Sequence, residues 1–188
     1  MRDRVREAID VCHALLDDEA LAEAADQVVE AIVASINGGG KVLLCGNGGS
    51  AADAQHLAGE LVGRFCLERN PFPAIALADN VAALTAVAND YGYSNTFSRA
   101  VRALGNPGDV LIGLSTSGQS ANVIEALGAG RERGMVTVAF VGGAGSPMEH
   151  AAAHVLHVDG PNTARIQEGQ MLLGHAIFEL VERELCDA

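Results

Sequence analysis

The sequence predicts an α/β domain, a three-layer sandwich with a central parallel sheet of about five strands covered by helices on both faces. Three observations predict it. Short, wholly apolar runs alternate with longer segments whose apolar residues recur every three or four positions. Glycine-rich turns separate these segments. At 188 residues and 49% apolar composition, the chain suits one domain with a sizeable core.

Residues 2–36 read as helix in two pieces, with Val5, Ile9, Cys12 and Leu16 on one stripe and Leu21, Val28, Ile32 and Ile36 continuing after Asp17-Asp18. Asn37 and Gly38 to Gly40 stop it. Lys41 to Cys45 is a buried-strand run, Gly46 to Ser50 a turn, and Ala51 to Val62 a helix. Strand 74–77 follows, then helices near 80–89 and 94–104, a turn at 106–109 and strand 110–114. Helix 121–132, strand 136–141, a glycine-rich loop, a short helix at 147–152, strand 154–158 and a last helix at 163–186 complete the chain. No linker or repeat interrupts it, so residues 1–188 are expected to form a single domain. In such a sheet, function gathers in the loops at the carboxyl ends of the strands.

Composition narrows the function. A formal net charge of −12 repels nucleic acid and anionic membrane, but not a small anion held by backbone N–H groups and hydroxyls. Cys12, Cys45, Cys66 and Cys186 form no C-x-x-C pair and read as free thiols. The opening MRDRVREAID lacks an apolar leader, and no run approaches the roughly 20 apolar residues of a membrane span, so a cytoplasmic location is expected.

Two loops are phosphate candidates. Gly46-x-Gly48-x-x-Ala51 stands between a strand and a helix, where glycines let backbone approach a phosphate. It fits a plain turn as well as a nucleotide fingerprint, whose acidic partner would be Asp79; Asn47 and Ser50 add polar groups that a bare turn does not need. Ser115-Thr116-Ser117-Gly118-x-Ser120 places four hydroxyls before a helix, and capping accounts for only one of them, Ser117 or Ser120. Two such loops on one sheet favour a phosphomonoester over a dinucleotide, and a Walker-type P-loop is absent.

His56 and Glu60, four apart on a helix, share one face and suit a divalent metal, an acid–base couple or a solvated ion pair. Gln167 and His175 lie on the last helix, separated by about 12 Å of rise and about 80°. They meet at one ion only if their side chains lean together or subunits share the site. His175 alone also fits a buried structural histidine.

The chain resembles the sugar isomerase (SIS) domain proteins, and within them the phosphoheptose isomerases. The resemblance rests on Cys45 to Ser50, Gln55 to Leu61, Ala88-Asn89-Asp90, Ile112 to Ile124 and Arg165 to Glu168, in family order across nearly the whole chain. It implies an SIS-type sheet and aldose–ketose isomerisation of sedoheptulose 7-phosphate to D-glycero-D-manno-heptose 7-phosphate through an enediol. It implies that Asn47, Gly48, Gly49, Ser50, Glu60, Asn89, Asp90, Ser115, Thr116, Ser117, Ser120 and Gln167 contact the sugar phosphate. His56, Glu60, Gln167 and His175 would surround one zinc ion per subunit, with Glu60 and His175 as the catalytic pair. It further implies a homotetramer with residues 1–37 packed in the assembly. Ala164 and Gln170 depart from the pattern, which often carries Asp and His there. A non-catalytic SIS relative that binds a replication initiator or senses a sugar phosphate is the alternative; retention of His56, Glu60 and His175 favours the enzyme.

Overall fold

A computed structural model describes residues 1–187. Its five strands are β1 (Val42–Cys45), β2 (Ala74–Ala76), β3 (Val110–Ser115), β4 (Val136–Val141) and β5 (His154–His157). All pair in parallel, in the order β2-β1-β3-β4-β5. The helices are α1 (Arg2–Asp17), α2 (Glu19–Asn37), α3 (Gly49–Val62), α4 (Val81–Tyr91), α5 (Thr96–Leu104), α6 (Ala121–Glu132) and α7 (Thr163–Asp187). The predicted elements are all present, with ends shifted by a residue or two; 3-10 turns occupy Tyr93–Asn95 and Pro147–Ala151. The long N-terminal helix breaks at Asp18, whose carboxylate accepts from the Leu21 N–H at 3.0 Å and caps α2.

The strands read as unbroken apolar runs because both faces are buried. Val110, Ile112 and Leu114 of β3 meet the core under α2, α3 and α7, which includes Ile32, Leu57 and Phe178. Leu111, one step out of phase, meets the core under α5 and α6, with Phe97, Val123 and Leu127. Cys45 belongs to this second core, and burial pushes its thiol up to about 12, which leaves it a packing group and not a nucleophile.

Glycines set two close approaches of α7. A Cβ on Gly174 would lie 2.9 Å from both terminal carbons of Leu57 on α3, and one on Gly169 would lie 2.9 Å from Val11 of α1. Gly174→Val is therefore expected to force α3 and α7 apart and to destabilise the fold by about 1–3 kcal/mol. A thermal melt checks this, and an unchanged Tm would refute the close packing.

Within one chain, α1 packs through residues other than the stripe that was expected to meet the assembly. Val11 is buried and Leu15 partly so, whereas Val5, Ile9, Cys12 and Leu16 remain exposed. Among the described residues no helix is long and apolar enough to cross a membrane.

Candidate active site

In this strand order the chain leaves β1 toward β2 on one side and β3 toward β4 on the other. The crevice between the carboxyl ends of β1 and β3 is thus the topological switch point, where open parallel sheets bind ligands. Both predicted loops open there, since each directly follows one of these strands. Gly48 has φ +56, which only glycine adopts without strain. A Cβ on Gly46 would lie 2.6 Å from the Ser50 carbonyl, so the first turn of α3 closes directly on the strand end.

The two loops are stapled together. Asn47 and Asn122 exchange amide hydrogen bonds of 2.8 and 2.9 Å, linking the β1 loop to the first turn of α6. The Tyr93 hydroxyl donates to Asn47 Oδ1 at 2.7 Å, and Asn122 also donates to Thr96 Oγ1 at 3.3 Å. Asn122 and Tyr93 were not among the predicted site residues. An asparagine two residues after the last serine of the loop was a usable signal for the first; nothing local marks Tyr93. One side-chain N–H of Asn47 is committed to this staple, leaving the other and its backbone to a ligand.

The Ser115, Ser117 and Ser120 hydroxyls face one another. Ser115 Oγ lies 2.9 Å from Ser120 Oγ and 3.4 Å from Ser117 Oγ. Ser120 is the N-cap of α6, yet its side chain makes no capping bond. Ser117 Oγ accepts instead from the Gln119 N–H at 3.2 Å. The expected helix-cap role is not filled by Ser120, so its hydroxyl stays available beside an uncapped helix N-terminus, an arrangement suited to an anion. No lysine or arginine occurs in either loop. Asp79, the acid that a dinucleotide reading requires, accepts from Gln55 Nε2 at 2.8 Å.

On α3, two turns beyond the glycine loop, His56 Nε2 stands 3.2 Å from Glu60 Oε1. Tertiary structure adds His175 from α7, whose Nε2 lies 2.9 Å from His56 Nε2. The three donor atoms lie within 4.8 Å of one another, so these residues could hold a metal ion. The fit is chemical as well as spatial. Two imidazole nitrogens and a carboxylate oxygen form a common zinc donor set, and tetrahedral coordination would separate the nitrogens by about 3.3 Å. Phe65 packs against the His175 ring, tilted by 40°, at a centroid distance of 5.5 Å.

Gln167 sits elsewhere. A Cβ on Gly49 would lie 2.1 Å from Gln167 Nε2, so the amide rests on the first residue of α3, about two turns before His56. It lines an open hollow with Asp53, Ala164, Glu168 and Met171. Burial raises the Asp53 carboxyl above its ordinary value, against the opposing charge of His56. Asn89 and Asp90 lie exposed at the end of α4, where Asn89 Nδ2 donates to Asp90 Oδ1 at 2.8 Å. Ser50 is buried under the glycine loop. Gln170, which stands where the pattern often carries His, is fully buried with no hydrogen-bond partner for its amide among the described residues.

Comparison with known proteins agrees with this architecture. Residues 5–142 match the SIS domain model. The chain is 50% identical over 181 residues to a phosphoheptose isomerase of Burkholderia pseudomallei (strain 1710b), covering 96% of this chain and 92% of that one. It is 49% identical over 183 residues to one from Roseiflexus sp. (strain RS-1), covering 97% and 92%. The solved phosphoheptose isomerase of Neisseria gonorrhoeae superposes with a TM-score of 0.89 at 42% identity, covering 96% of both chains. By sequence, by fold and by the loops that meet at the β1–β3 crevice, the chain belongs to the phosphoheptose isomerase family of SIS-domain proteins.

Proposed function

We propose that this protein isomerises sedoheptulose 7-phosphate to D-glycero-D-manno-heptose 7-phosphate. The observation that carries the reading is the His56–Glu60–His175 cluster, standing on α7 and on α3, the helix that the glycine loop opens. Such a reaction needs an anion cradle at one end of the substrate and proton-transfer groups at the other.

The Ser115, Thr116, Ser117 and Ser120 hydroxyls and the α6 N-terminus bind the phosphate. Asn47, Gly48, Gly49 and Ser50 line the opposite wall, and Asn89, Asp90 and Gln167 orient the sugar hydroxyls. Glu60 takes the proton beside the carbonyl and returns it to the neighbouring carbon; its carboxylate has a second oxygen free to do so while the first faces His56. His175 shuttles protons on the oxygens. Bound zinc supplies polarisation of the carbonyl and stabilises the charge that develops on it. His56, Glu60 and His175 would hold the ion. Gln167 joins that shell only if its amide swings away from Gly49 or a partner subunit presents it. The exposed Val5, Ile9 and Leu16 on α1 support an assembly that buries them, and we assign the protein a homotetramer on that ground.

Following the aldose product from sedoheptulose 7-phosphate tests the reading. Turnover is expected, is lost after treatment with a strong chelator, and returns on adding zinc. No turnover by folded, zinc-loaded protein would overturn the activity. Full turnover after complete metal removal would overturn the role of the ion.

A further inference from the structure

Glu182 stands on α7 two turns beyond His175, and its side chain is 0% exposed. Its carboxylate is not idle. Oε1 accepts from the Phe65 N–H at 2.9 Å, and Oε2 accepts from the Cys66 and Leu67 N–H groups at 2.6 and 2.8 Å. Three successive backbone donors thus close on one carboxylate, a nest of the kind that binds anions, here filled by the protein's own side chain. Arg69 Nε adds a fourth bond at 2.9 Å. Burial would raise this carboxyl, but the three N–H groups and the Arg69 charge outweigh it and hold the group below its ordinary value.

Arg69 continues the chain of contacts. Its Nη2 donates to the Glu60 carbonyl at 2.8 Å, and its Nη1 to the Leu61 and Gly63 carbonyls at 2.8 and 3.1 Å. These are carbonyls at the carboxyl end of α3, where a cation satisfies both the open acceptors and the helix dipole. Phe65, held by the nest, is the residue that packs against the His175 ring. A buried ion pair is a poor source of stability, because desolvation offsets its attraction. What this one does is fix geometry: it ties the end of the helix carrying His56 and Glu60 to the helix carrying His175.

We infer that Glu182 is a positioning residue for the His56–Glu60–His175 site, setting α3 against α7 through Arg69 and the backbone of residues 65–67. The inference rests on the metal reading given above. Residues outside a metal's ligand set that orient its ligands typically change affinity by about 10–100-fold when altered.

The test compares the full-length wild type with Glu182→Gln, Arg69→Lys and a control, Asp109→Asn. Glutamine turns one acceptor oxygen into an N–H₂ group facing N–H donors. Lysine keeps the charge but lacks the fork of three nitrogens with which Arg69 serves Glu182 and the Glu60, Leu61 and Gly63 carbonyls at once. Asp109→Asn breaks a partly buried pair, with Lys41 at 2.6 Å, at the amino end of β3, remote from the site. Zinc affinity is measured by competition with a chromophoric chelator, well below each variant's melting temperature. The expected result is a zinc Kd raised about 10–100-fold in Glu182→Gln and Arg69→Lys, and a Kd within about twofold of wild type in Asp109→Asn, although all three melt lower. Wild-type zinc affinity in the first two would reduce the clamp to a structural element and overturn the inference. If Glu182→Gln does not fold, Arg69→Lys decides alone. A wild type that binds no divalent metal would instead overturn the metal reading, and the clamp's role with it.

Discussion

Glu60→Gln is expected to lower kcat for sedoheptulose 7-phosphate by about 10²–10⁴-fold, the usual contribution of a positioned general base, with the fold intact. Glutamine matches glutamate in shape and can still face His56 Nε2 across the 3.2 Å contact, but its amide does not accept a proton from carbon. The residue stands on the solvent side of α3, partly exposed, so the exchange disturbs no core packing. The loss should fall on kcat with KM little changed, because the missing interaction belongs to the transition state. His175→Ala is the companion. It removes the imidazole 2.9 Å from His56 and is expected to abolish both zinc binding and turnover. Near-normal turnover by Glu60→Gln would sink the assignment of the base, and tight zinc binding by His175→Ala would sink the assignment of the ligand.

The second large effect is expected at the phosphate. Ser120→Ala removes a hydroxyl 2.9 Å from Ser115 Oγ and not engaged in capping α6. A hydrogen bond to a charged group contributes about 1.5–3 kcal/mol, so KM for the phosphorylated sugar is expected to rise about 10–100-fold. The mirror measurement is inhibition by inorganic phosphate, which should weaken by a similar factor. The α6 helix should not lose stability, since no cap is lost. An unchanged KM would remove Ser120 from the phosphate site, and a lowered Tm would return it to the capping role first expected of a serine before a helix. The same geometry would let a chain of net charge −12 accept an anion. Hydroxyls and oriented N–H groups act at contact distance, where a diffuse surface field matters little.

Much of this was legible before any fold was known, for a reason common to all its parts. Apolar runs, helical periods and glycine stops act over a few residues, so the five strands, the seven helices and both loops could be read in order. The pairing of His56 with Glu60 was equally local, because a helix places residues four apart on one face.

Other features depend on residues far apart in the chain. His175 reaches His56 across 119 positions, Asn122 reaches Asn47 across 75, and Glu182 reaches the Phe65 N–H across 117. No periodicity carries such information; it arises when parallel pairing sets β1 beside β3 and packs α7 on α3 at Gly174. Helix spacing put Gln167 and His175 about 12 Å apart, and α3 gives them different partners, Gly49 for one and His56 for the other. The apolar stripe of α1 was legible as a pattern, with its cover expected from an assembly. Periodicity states that a face is apolar, and only packing decides what meets it: the chain's own core meets Val11, while Val5, Ile9 and Leu16 stay exposed on the single chain.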